Sequence, residues 1–230
     1  MLVVGFPTGL FAANCYIVAP GAGERCVIID PGQDVVTPLA EVLREHRLKP
    51  SAVLVTHGHI DHMWSVVPVC GEHEIAAYVH PADRDRLGDP TRTLSADLVA
   101  ALGVAGVTFG EPADVRDLPD GGALDLAGLA LTATHAPGHT AGSVVFRSDA
   151  GGPDGEPVAF TGDVLFAGSI GRSDQIGGDS DAMQQSLSRL LAWPDETLVF
   201  PGHGGSTSIG RERRSNPFLR DLEPARQGSA

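Results

Sequence analysis

Short apolar runs bounded by turn residues dominate the first part of the chain. Leu2 to Phe6, Ala13 to Ala19 and Cys26 to Asp30 have the length and apolar content of strands, and Pro20-Gly21-Ala22-Gly23 separates the last two. Because no helical spacing lies between these runs, we expect an antiparallel meander. The next apolar run, Ala52 to Val55, has the β-branched content of a buried strand.

Helical spacing lies between and after these strands. The first helix is predicted to have Thr37 as its N-cap and to end before Lys49-Pro50. A second helical pattern covers Met63 to Cys70, and a short third helix is predicted to begin at His80-Pro81-Ala82-Asp83. The best pattern of the second half, Ser180 to Trp193, has an apolar face and stops at the proline that follows.

Strand candidates recur along the rest of the chain, although the pattern over residues 88–110 is weak. They are Glu74 to Val79, Gly128 to Thr134, Ser143 to Arg147, Val158 to Thr161 and Thr197 to Phe200. Irregular interleaving of strands and helices favours an α/β (α+β) protein with two mixed sheets flanked by helices over a regular doubly wound sheet. We expect one domain over residues 1–222 and a disordered tail over 223–230, which is polar and small.

The composition fits one globular domain without a membrane span. The 230 residues are 42% hydrophobic, and no apolar run approaches the length of about 18 residues that a spanning helix needs. The N-terminus has neither a basic leader nor a cleavable apolar region, so no signal peptide is expected. Cys15, Cys26 and Cys70 are odd in number and lack Cys-x-x-Cys spacing, which favours small core residues in a reducing compartment. We therefore expect a cytoplasmic protein with no membrane partner.

The acidic balance argues against one large class of partner. Sixteen Lys and Arg against 29 Asp and Glu give a formal net charge of −13, and such a surface repels the phosphates of nucleic acid. The short run Arg211-Glu212-Arg213-Arg214 contains a glutamate and is predicted to be a solvated helix face. The expected partner is a small-molecule substrate, and the oligomeric state stays open.

Three histidines and one aspartate follow the buried strand within Thr56-His57-Gly58-His59-Ile60-Asp61-His62. Side chains two apart in an extended segment point the same way, so His57 and His59 can face one point beyond the strand. Imidazole and carboxylate groups are usual ligands of zinc and similar divalent ions. Two histidines on one side and an Asp-His pair on the other suit two adjacent ions better than one. Ordinary, satisfied or solvent-facing roles are expected for His46, His73, His80 and His135.

Three later stretches repeat one local order, in which a strand is followed by a glycine turn and then by a candidate ligand. They are Ala136-Pro137-Gly138-His139-Thr140, Phe160-Thr161-Gly162-Asp163 and Phe200-Pro201-Gly202-His203-Gly204. Glycine lets the backbone approach a crowded centre closely, and loops at strand ends commonly carry chemistry. With the first motif they supply five histidines and two aspartates: His57, His59, Asp61, His62, His139, Asp163 and His203.

These motifs, in this order and spacing, resemble the signature of the metallo-β-lactamase superfamily, and nearly the whole chain is similar to its glyoxalase II-like branch. Leu165 to Asp174, and Thr207 to Gly210 with Asn216-Pro217-Phe218, are also similar to short hydrolases of that branch. The resemblance implies a four-layer αββα sandwich of two mixed sheets, with two metal ions at one edge. It implies one ion on His57, His59 and His139, and another on Asp61, His62 and His203. Asp163 is implied to bridge the two.

The resemblance also implies a reaction, the hydrolysis of a thioester. Two divalent ions with two carboxylates and one hydroxide leave roughly one positive charge. A water molecule that bridges such ions ionises at about pH 7. The bridging hydroxide is expected to attack the carbonyl while one ion stabilises the oxyanion, and the thiolate leaves without a dedicated general acid. Asp61 and Asp163 are the expected catalytic carboxylates, with Asp61 orienting the water. Zinc is the expected metal, and iron and manganese accept the same ligands.

The implied substrate is a hydroxyacyl thioester such as S-lactoylglutathione or an analogous bacterial thiol conjugate. Arg172 falls where the branch has a basic residue that contacts the thiol carrier, which implies a substrate-binding role. A structural salt bridge is an equally good explanation of this arginine. Asp174 lies near a position where glutathione-binding members have tyrosine. The chain ends 27 residues after His203, so we expect the helical domain that helps hold glutathione to be missing. High Ala, Gly and Arg usage is typical of a GC-rich bacterium, in which another low-molecular-weight thiol, such as mycothiol, could replace glutathione.

Several other functions are found among proteins with the same motifs. Persulfide dioxygenases bind one iron, but they typically have Gly-Cys-Gly-Arg-Thr-Asp-Phe-Gln where this chain has the different residues 168–175. A phosphodiesterase or ribonuclease of the superfamily is disfavoured by the acidic surface and by the lack of an inserted nucleic-acid-binding arm. A true β-lactamase is disfavoured because those enzymes lack the bridging aspartate and are usually exported. An inactive metal-binding protein is disfavoured because all seven ligands are present.

Overall fold

Two six-stranded sheets form the framework of the computed structural model, which describes residues 1–92, 94, 96–104, 109–118, 120–222 and 224. The first sheet holds six strands in chain order: β1 (Leu2–Thr8), β2 (Ala13–Ala19), β3 (Arg25–Ile29), β4 (Lys49–Leu54), β5 (Ala76–Val79) and β6 (Val115–Asp117). The pairs β1–β2 and β2–β3 are antiparallel, which confirms the predicted meander, whereas β3 to β6 run parallel.

The later strands build the second sheet and a small hairpin. They are β7 (Gly122–Leu126), β8 (Leu129–His135), β9 (Val144–Ser148), β10 (Val158–Gly162), β11 (Leu165–Phe166), β12 (Ser169–Ile170), β13 (Leu198–Pro201) and β14 (Thr207–Ser208). The hairpin is β11–β12, and the sheet order is β14-β13-β10-β9-β8-β7. Both β8 and β10 run antiparallel to β9, and β13 runs parallel to β10. The strands β8, β10 and β13 therefore end at the same edge of the sheet.

The helices are short and follow the strands closely. They are α1 (Val36–His46), α2 (Ile60–Met63), α3 (Val66–His73), α4 (Ala96–Ala101), α5 (Ser180–Leu190) and α6 (Ile209–Ser215), with a 3-10 helix over Pro81–Arg86. None of the helices in the described part of the chain is long and apolar enough to cross a membrane.

Three apolar clusters define the layers of the fold. The alternation of side chains along β2 places Ile17 with α1 and α3 on one face of the first sheet, and Val18 on the other face. Val18 packs in the cluster between the two sheets, where Phe146 of β9 is fully buried. The third cluster packs Met183 and Leu187 of α5 against the second sheet. The order helix, sheet, sheet, helix confirms the αββα sandwich.

Element boundaries are where the predictions need correction. Thr37 is not the N-cap of α1, because the helix begins at Val36 and the buried Val35 precedes it without a side-chain cap. Val35 packs in the first apolar cluster, and its burial favours a helix that begins at the next residue and not after Thr37. The pattern over Met63 to Cys70 is interrupted between α2 and α3, and α5 ends at Leu190 rather than at Trp193.

Other corrections concern single residues and the tail. The predicted strand start at Glu74 is wrong, because Glu74 is left-handed with φ 53° and caps α3, so β5 begins at Ala76. The basic run forms α6, but Glu212 is fully buried and is not part of a solvated face. Its carboxylate accepts hydrogen bonds from Thr207 Oγ1 at 2.6 Å and from the Gly168 N–H at 2.8 Å. Seven residues of the predicted tail, 223 and 225–230, lie outside the described residues.

The cysteines behave as the sequence predicts. Cys15, Cys26 and Cys70 are all buried, and none is in a disulfide. All three pack in the cluster that joins the first sheet to α1 and α3. They therefore serve as small core residues.

Candidate metal centre

The first motif leaves the sheet at the end of β4 and turns into α2. Residue 59 is still extended, with φ −85° and ψ 146°, and α2 starts at the next residue. This change from extended to helical backbone lets His57 and His59 point beyond the strand while Asp61 and His62 lie in the helical turn. His57 and His62 are almost fully buried.

The other candidate ligands reach the same place from the second sheet. His139 follows β8, Asp163 directly follows β10, and His203 follows β13. Because these three strands end at one edge, their following loops meet there. The loop of His203 is also tied to the first sheet, since the Asn14 N–H donates to the Gly202 carbonyl at 2.7 Å.

Glycine is required where the backbone passes closest to the cluster. A Cβ on Gly202 would lie 2.1 Å from Asp163 Oδ1 and 2.8 Å from His62 Cε1, well inside van der Waals contact. Gly162, with φ +48°, is in the left-handed region directly before Asp163. Gly162 and Gly202, which come directly before the candidate ligands Asp163 and His203, thus allow the close backbone approach that the sequence predicts.

The seven predicted side chains converge into two groups with one carboxylate between them. His57, His59 and His139 form one group, and Asp61, His62 and His203 form the other; within each group the candidate ligand atoms lie within 4.8 Å of one another. Asp163 lies between the groups. Its Oδ1 is 3.3 Å from His62 Nε2, and its Oδ2 is 3.5 Å from both His139 Nε2 and His203 Nε2.

Hydrogen bonds at the outer nitrogens orient four of the rings. His62 Nδ1 lies 3.0 Å from the Asp30 carboxylate, His139 Nδ1 2.8 Å from the Arg172 carbonyl and His203 Nδ1 3.1 Å from the Phe11 carbonyl. A carboxylate or carbonyl oxygen can only accept, so Nδ1 donates in each case. These three rings therefore direct Nε2 to the centre.

His57 is oriented in the same way through a hydroxyl. Thr56 Oγ1 donates to Asp30 Oδ2 at 2.6 Å, so it accepts from His57 Nδ1 at 3.0 Å. The remaining ring nitrogen, His57 Nε2, is buried and has no hydrogen-bond partner. A buried nitrogen with an unused lone pair, among further imidazole and carboxylate groups, fits a divalent metal ion. The residues present therefore fit the group that the motifs imply.

The two groups differ in their affinity for protons. Burial, together with the neighbouring histidines, lowers the pKa of His57 well below its usual value, and burial beside His139 lowers the pKa of His59 to about 3. Burial also opposes the charged form of His62 and His203, but the carboxylates of Asp163 and Asp61 outweigh it and raise these pKa values to about 9 and about 10. Binding of a cation must therefore displace protons chiefly from the second group.

The aspartates have the opposite response to the same charges. Burial would raise the pKa of Asp61 and of Asp163, but the charge of His62, with help from His203, holds both pKa values below the usual range. Both carboxylates are therefore ionised at neutral pH and can act as metal ligands or as hydrogen-bond acceptors.

Two buried aspartates outside the motifs hold the ligand loops. Asp30 accepts from the Thr56 N–H at 2.7 Å and contacts His62, although the sequence indicates only the end of a strand there. Asp83, which lies in the 3-10 helix, accepts from the Gly58 N–H at 2.7 Å, from Thr140 Oγ1 at 2.6 Å and from the Gly142 N–H at 3.0 Å. The only sequence signal for either residue was a carboxylate beside a proline-containing turn.

Arg172, the predicted substrate contact, lies on the wall of the cavity above the cluster. Its guanidinium pairs with Asp174, with Nε 2.9 Å and Nη2 3.1 Å from the two carboxylate oxygens, and both side chains are largely exposed. The ion pair is thus present, but its exposure makes it a weak source of stability.

The four histidines outside the motifs lie outside both groups of candidate ligands. His46 and His73 lie in the last turns of α1 and α3, and His80 stacks on His135 with ring centroids 4.0 Å apart.

Comparison with known proteins identifies the family of this chain. The family described as the metallo-beta-lactamase superfamily matches residues 8–203, which include all seven side chains. Rv2581c of Mycobacterium tuberculosis is 48% identical over 224 residues, covering 96% of this chain and 99% of that protein. The hydroxyacylglutathione hydrolase GloC of Haemophilus influenzae is 33% identical over 220 residues, covering 93% and 95%.

Solved structures agree with the sequence comparison. The crystal structure of the BLEG-1 B3 metallo-β-lactamase has a TM-score of 0.80 and 34% identity, and the match covers 95% of this chain and all of that one. TTHA1623, solved in a di-iron-bound form, has a TM-score of 0.76 and 37% identity, with the same coverage. This chain therefore belongs to the metallo-β-lactamase superfamily, whose members bind metal ions.

Proposed function

We propose that this protein is a hydrolase with two metal ions that cleaves thioesters of the hydroxyacyl type. The observation that carries the proposal is the convergence of seven imidazole and carboxylate groups in two sets that share Asp163. Five of the seven, His59, Asp61, His139, Asp163 and His203, line one cavity. Support for the thioester comes from GloC, a relative along nearly the full length that is named as a hydroxyacylglutathione hydrolase.

Each group of three would hold one ion, with Asp163 shared. Divalent ions bound there would polarise a carbonyl oxygen and lower the pKa of a water molecule towards neutrality. Zinc fits the donor set, and so do iron and manganese. The hydrogen bonds at Nδ1 keep the rings of His57, His62, His139 and His203 in the orientation that binding needs.

The chain's own groups then position water and substrate. Asp61 is partly exposed and lines the cavity, so its carboxylate can accept a hydrogen bond from the attacking water. Apolar side chains that line the cavity beside the cluster lower the local dielectric constant, which strengthens the electrostatic interactions there. A thiolate is a good leaving group, so the reaction does not require a general acid, and none is assigned.

The test is a substrate screen combined with metal analysis of the same sample. S-lactoylglutathione and the corresponding thioesters of mycothiol and coenzyme A would be assayed for thiol release, and metals would be counted by mass spectrometry. The proposal expects release of thiol from at least one of them, and about two ions per chain. A fully metal-loaded protein that leaves every thioester intact would refute it.

Hydrolysis of β-lactams is the second candidate, because BLEG-1 is named as a B3 metallo-β-lactamase and shares 34% identity. Both reactions transfer an acyl group to water, so one centre suits either. A chromogenic cephalosporin in the same screen separates them. An oxygen electrode with glutathione persulfide tests the mono-iron dioxygenase alternative on the same protein.

A further inference from the structure

Exposed apolar side chains gather at the mouth of the cavity that leads to the metal centre. In the described part of the chain six large apolar side chains are exposed, and two of them, Phe11 and Ile176, line this cavity. Their exposed fractions are 38% and 70%. Apolar residues concentrated at one opening, on an otherwise acidic protein, indicate a surface for an apolar ligand.

The apolar lining continues down to the candidate ligands. Leu94, Leu98, Phe166 and Ile170 line the same cavity, whose volume is about 410 Å³. The ring of Phe166 lies edge-on to the ring of His203, with centroids 6.0 Å apart, and the carbonyl of Phe11 orients His203. A group that lay beside the cluster would therefore contact the apolar carbon of these side chains.

The charges on the cavity wall give little support for an anionic substrate. Among the described residues that line the cavity, Arg172 is the single arginine or lysine, and the carboxylate of Asp174 neutralises it. A substrate carboxylate that displaced Asp174 would still lie beside it, so the cavity wall outside the metal centre offers no net positive charge to a substrate carboxylate. The formal charge of −13 on the whole chain adds repulsion at longer range.

From these features we infer that the cavity selects a thioester with an apolar, uncharged acyl chain. The inference rests on the proposed thioester hydrolysis and differs from that proposal in one respect, since it expects a longer apolar acyl chain to be preferred to a hydroxyacyl group. The low-molecular-weight thiols that could carry the acyl group are polar, so the part of the substrate that fits an apolar cavity is the acyl chain. Phe11 and Ile176 at the mouth would then be residues that determine specificity.

A matched series on one uncharged carrier tests the inference. Acetyl, butanoyl, hexanoyl, lactoyl and succinyl thioesters of N-acetylcysteamine differ only in the acyl group. The value of kcat/KM is expected to rise by roughly tenfold for each two methylene groups added, as burial of about two CH₂ groups allows, and to be lowest for succinyl. A lactoyl or succinyl thioester that reacts faster than the hexanoyl one would overturn the inference while leaving thioester hydrolysis intact.

Binding provides a readout that needs no turnover. S-hexyl-N-acetylcysteamine and S-ethyl-N-acetylcysteamine are thioethers that cannot be hydrolysed, and their affinities can be measured by calorimetry with and without zinc. We expect the hexyl compound to bind at least about tenfold more tightly in both cases. If no thioester is hydrolysed but this preference holds, the proposed reaction is wrong and the apolar site stands. Equal affinities would overturn the site.

Variants at the mouth separate specificity from folding. Ile176→Ser removes a largely exposed side chain, and the ratio of hexanoyl to acetyl turnover is expected to fall by about threefold or more. Val36→Ser is the matched control, because Val36 is also an exposed apolar residue but lies on α1 and does not line the cavity. A ratio that is the same in the wild type and in Ile176→Ser would contradict a role for Ile176.

Discussion

A single carboxylate, Asp163, links the two groups of the centre. Its oxygens lie 3.3–3.5 Å from nitrogens of His62, His139 and His203, which belong to different groups. Loss of this carboxylate would remove negative charge from both groups at once. The effect is expected to fall on metal binding and on turnover rather than on folding, because Asp163 follows a strand end and is not part of an apolar cluster.

Asp163→Ala is expected to lower kcat/KM for the best thioester by at least about a hundredfold. Metal content should fall below two ions per chain, while the far-UV circular dichroism spectrum stays that of the wild type. Asp149→Ala is the control, since Asp149 is an exposed carboxylate that pairs with Arg147 on the surface. Turnover at the wild-type level in Asp163→Ala would rule out a shared bridging carboxylate.

Gly202→Ala tests the close approach of the backbone to the same carboxylate. The added Cβ would collide with Asp163 Oδ1, so the side chain or the loop must move. We expect about a tenfold or greater loss of metal affinity, measured by competition with a chromogenic chelator. Gly205→Ala serves as the control because no heavy atom lies within 4 Å of its Cβ position and its φ is not left-handed. Equal affinities in the two variants would show that the collision is harmless.

The seven candidate ligands could be predicted because each lies in a short local pattern. A strand, a glycine and a ligand are neighbours in the sequence, and strand ends meet at a sheet edge. Asp30 and Asp83 could not be predicted, because their partners are 25 to 59 residues away in the sequence. Nothing local distinguishes a buried carboxylate that holds a loop from one that simply ends a strand or begins a helix.

At the scale of elements, the 3-10 helix Pro81–Arg86 joins two ligand loops through Asp83. The Asp83 carboxylate accepts a hydrogen bond from the N–H of Gly58, which lies between His57 and His59. It also accepts from Thr140 Oγ1 and from the Gly142 N–H, in the loop that follows His139. The three histidines of the first group are therefore held at a fixed spacing by one buried side chain that is itself outside the centre. Asp83 is a positioning residue.

Asp83→Ala is expected to weaken binding of an ion at the first group, His57, His59 and His139, by about 10- to 100-fold, because three buried donors lose their acceptor and the loops separate. Chelator competition measures the affinity at a temperature where circular dichroism shows a folded chain. Asp83→Asn should recover part of the affinity, since its amide oxygen can still accept. Asp85→Ala, on the exposed side of the same helix, should match the wild type. Wild-type affinity in a folded Asp83→Ala protein would exclude the positioning role.

Element types could be predicted from spacing, but element boundaries could not. The short apolar run predicts β2, alternation of apolar and small residues predicts β8, and the apolar face predicts α5. The start of α1 depends on burial of Val35, and the end of α3 depends on the left-handed Glu74. Glu212 was predicted on a solvated face, but three hydrogen-bond donors, from Thr207, Gly168 and Asn216, satisfy it in the interior. Tertiary contacts decide each of these cases.

At the scale of the whole molecule, aromatic rings join the two sheets beside the centre. Phe160 of β10 lies 5.4 Å from the ring of Tyr16 on β2 and 5.2 Å from the ring of Phe200 on β13. The Tyr16 hydroxyl donates to the Pro201 carbonyl at 2.7 Å, two residues before His203. Packing between the sheets is thus continuous with the loop that carries a candidate ligand.

Phe160→Ala is expected to lower the free energy of unfolding by about 3–5 kcal/mol, as the removal of a fully enclosed ring usually does. Urea unfolding of the metal-free protein measures it. Phe218→Ala removes an exposed ring and should change the value by less than about 0.5 kcal/mol. Similar unfolding midpoints for the two variants would show that the sheets do not depend on this contact.

Each group of candidate ligands takes members from both sheets. His57 and His59 come after β4 and their partner His139 after β8, while Asp61 and His62 are completed by His203. A nascent chain emerging from the ribosome therefore lacks a complete first group until the segment after β8 has been synthesised, and a complete second group until the segment after β13 has been synthesised. Capture of the second ion becomes a late step of maturation, so a polypeptide that stops before His203 would not hold the full pair of ions.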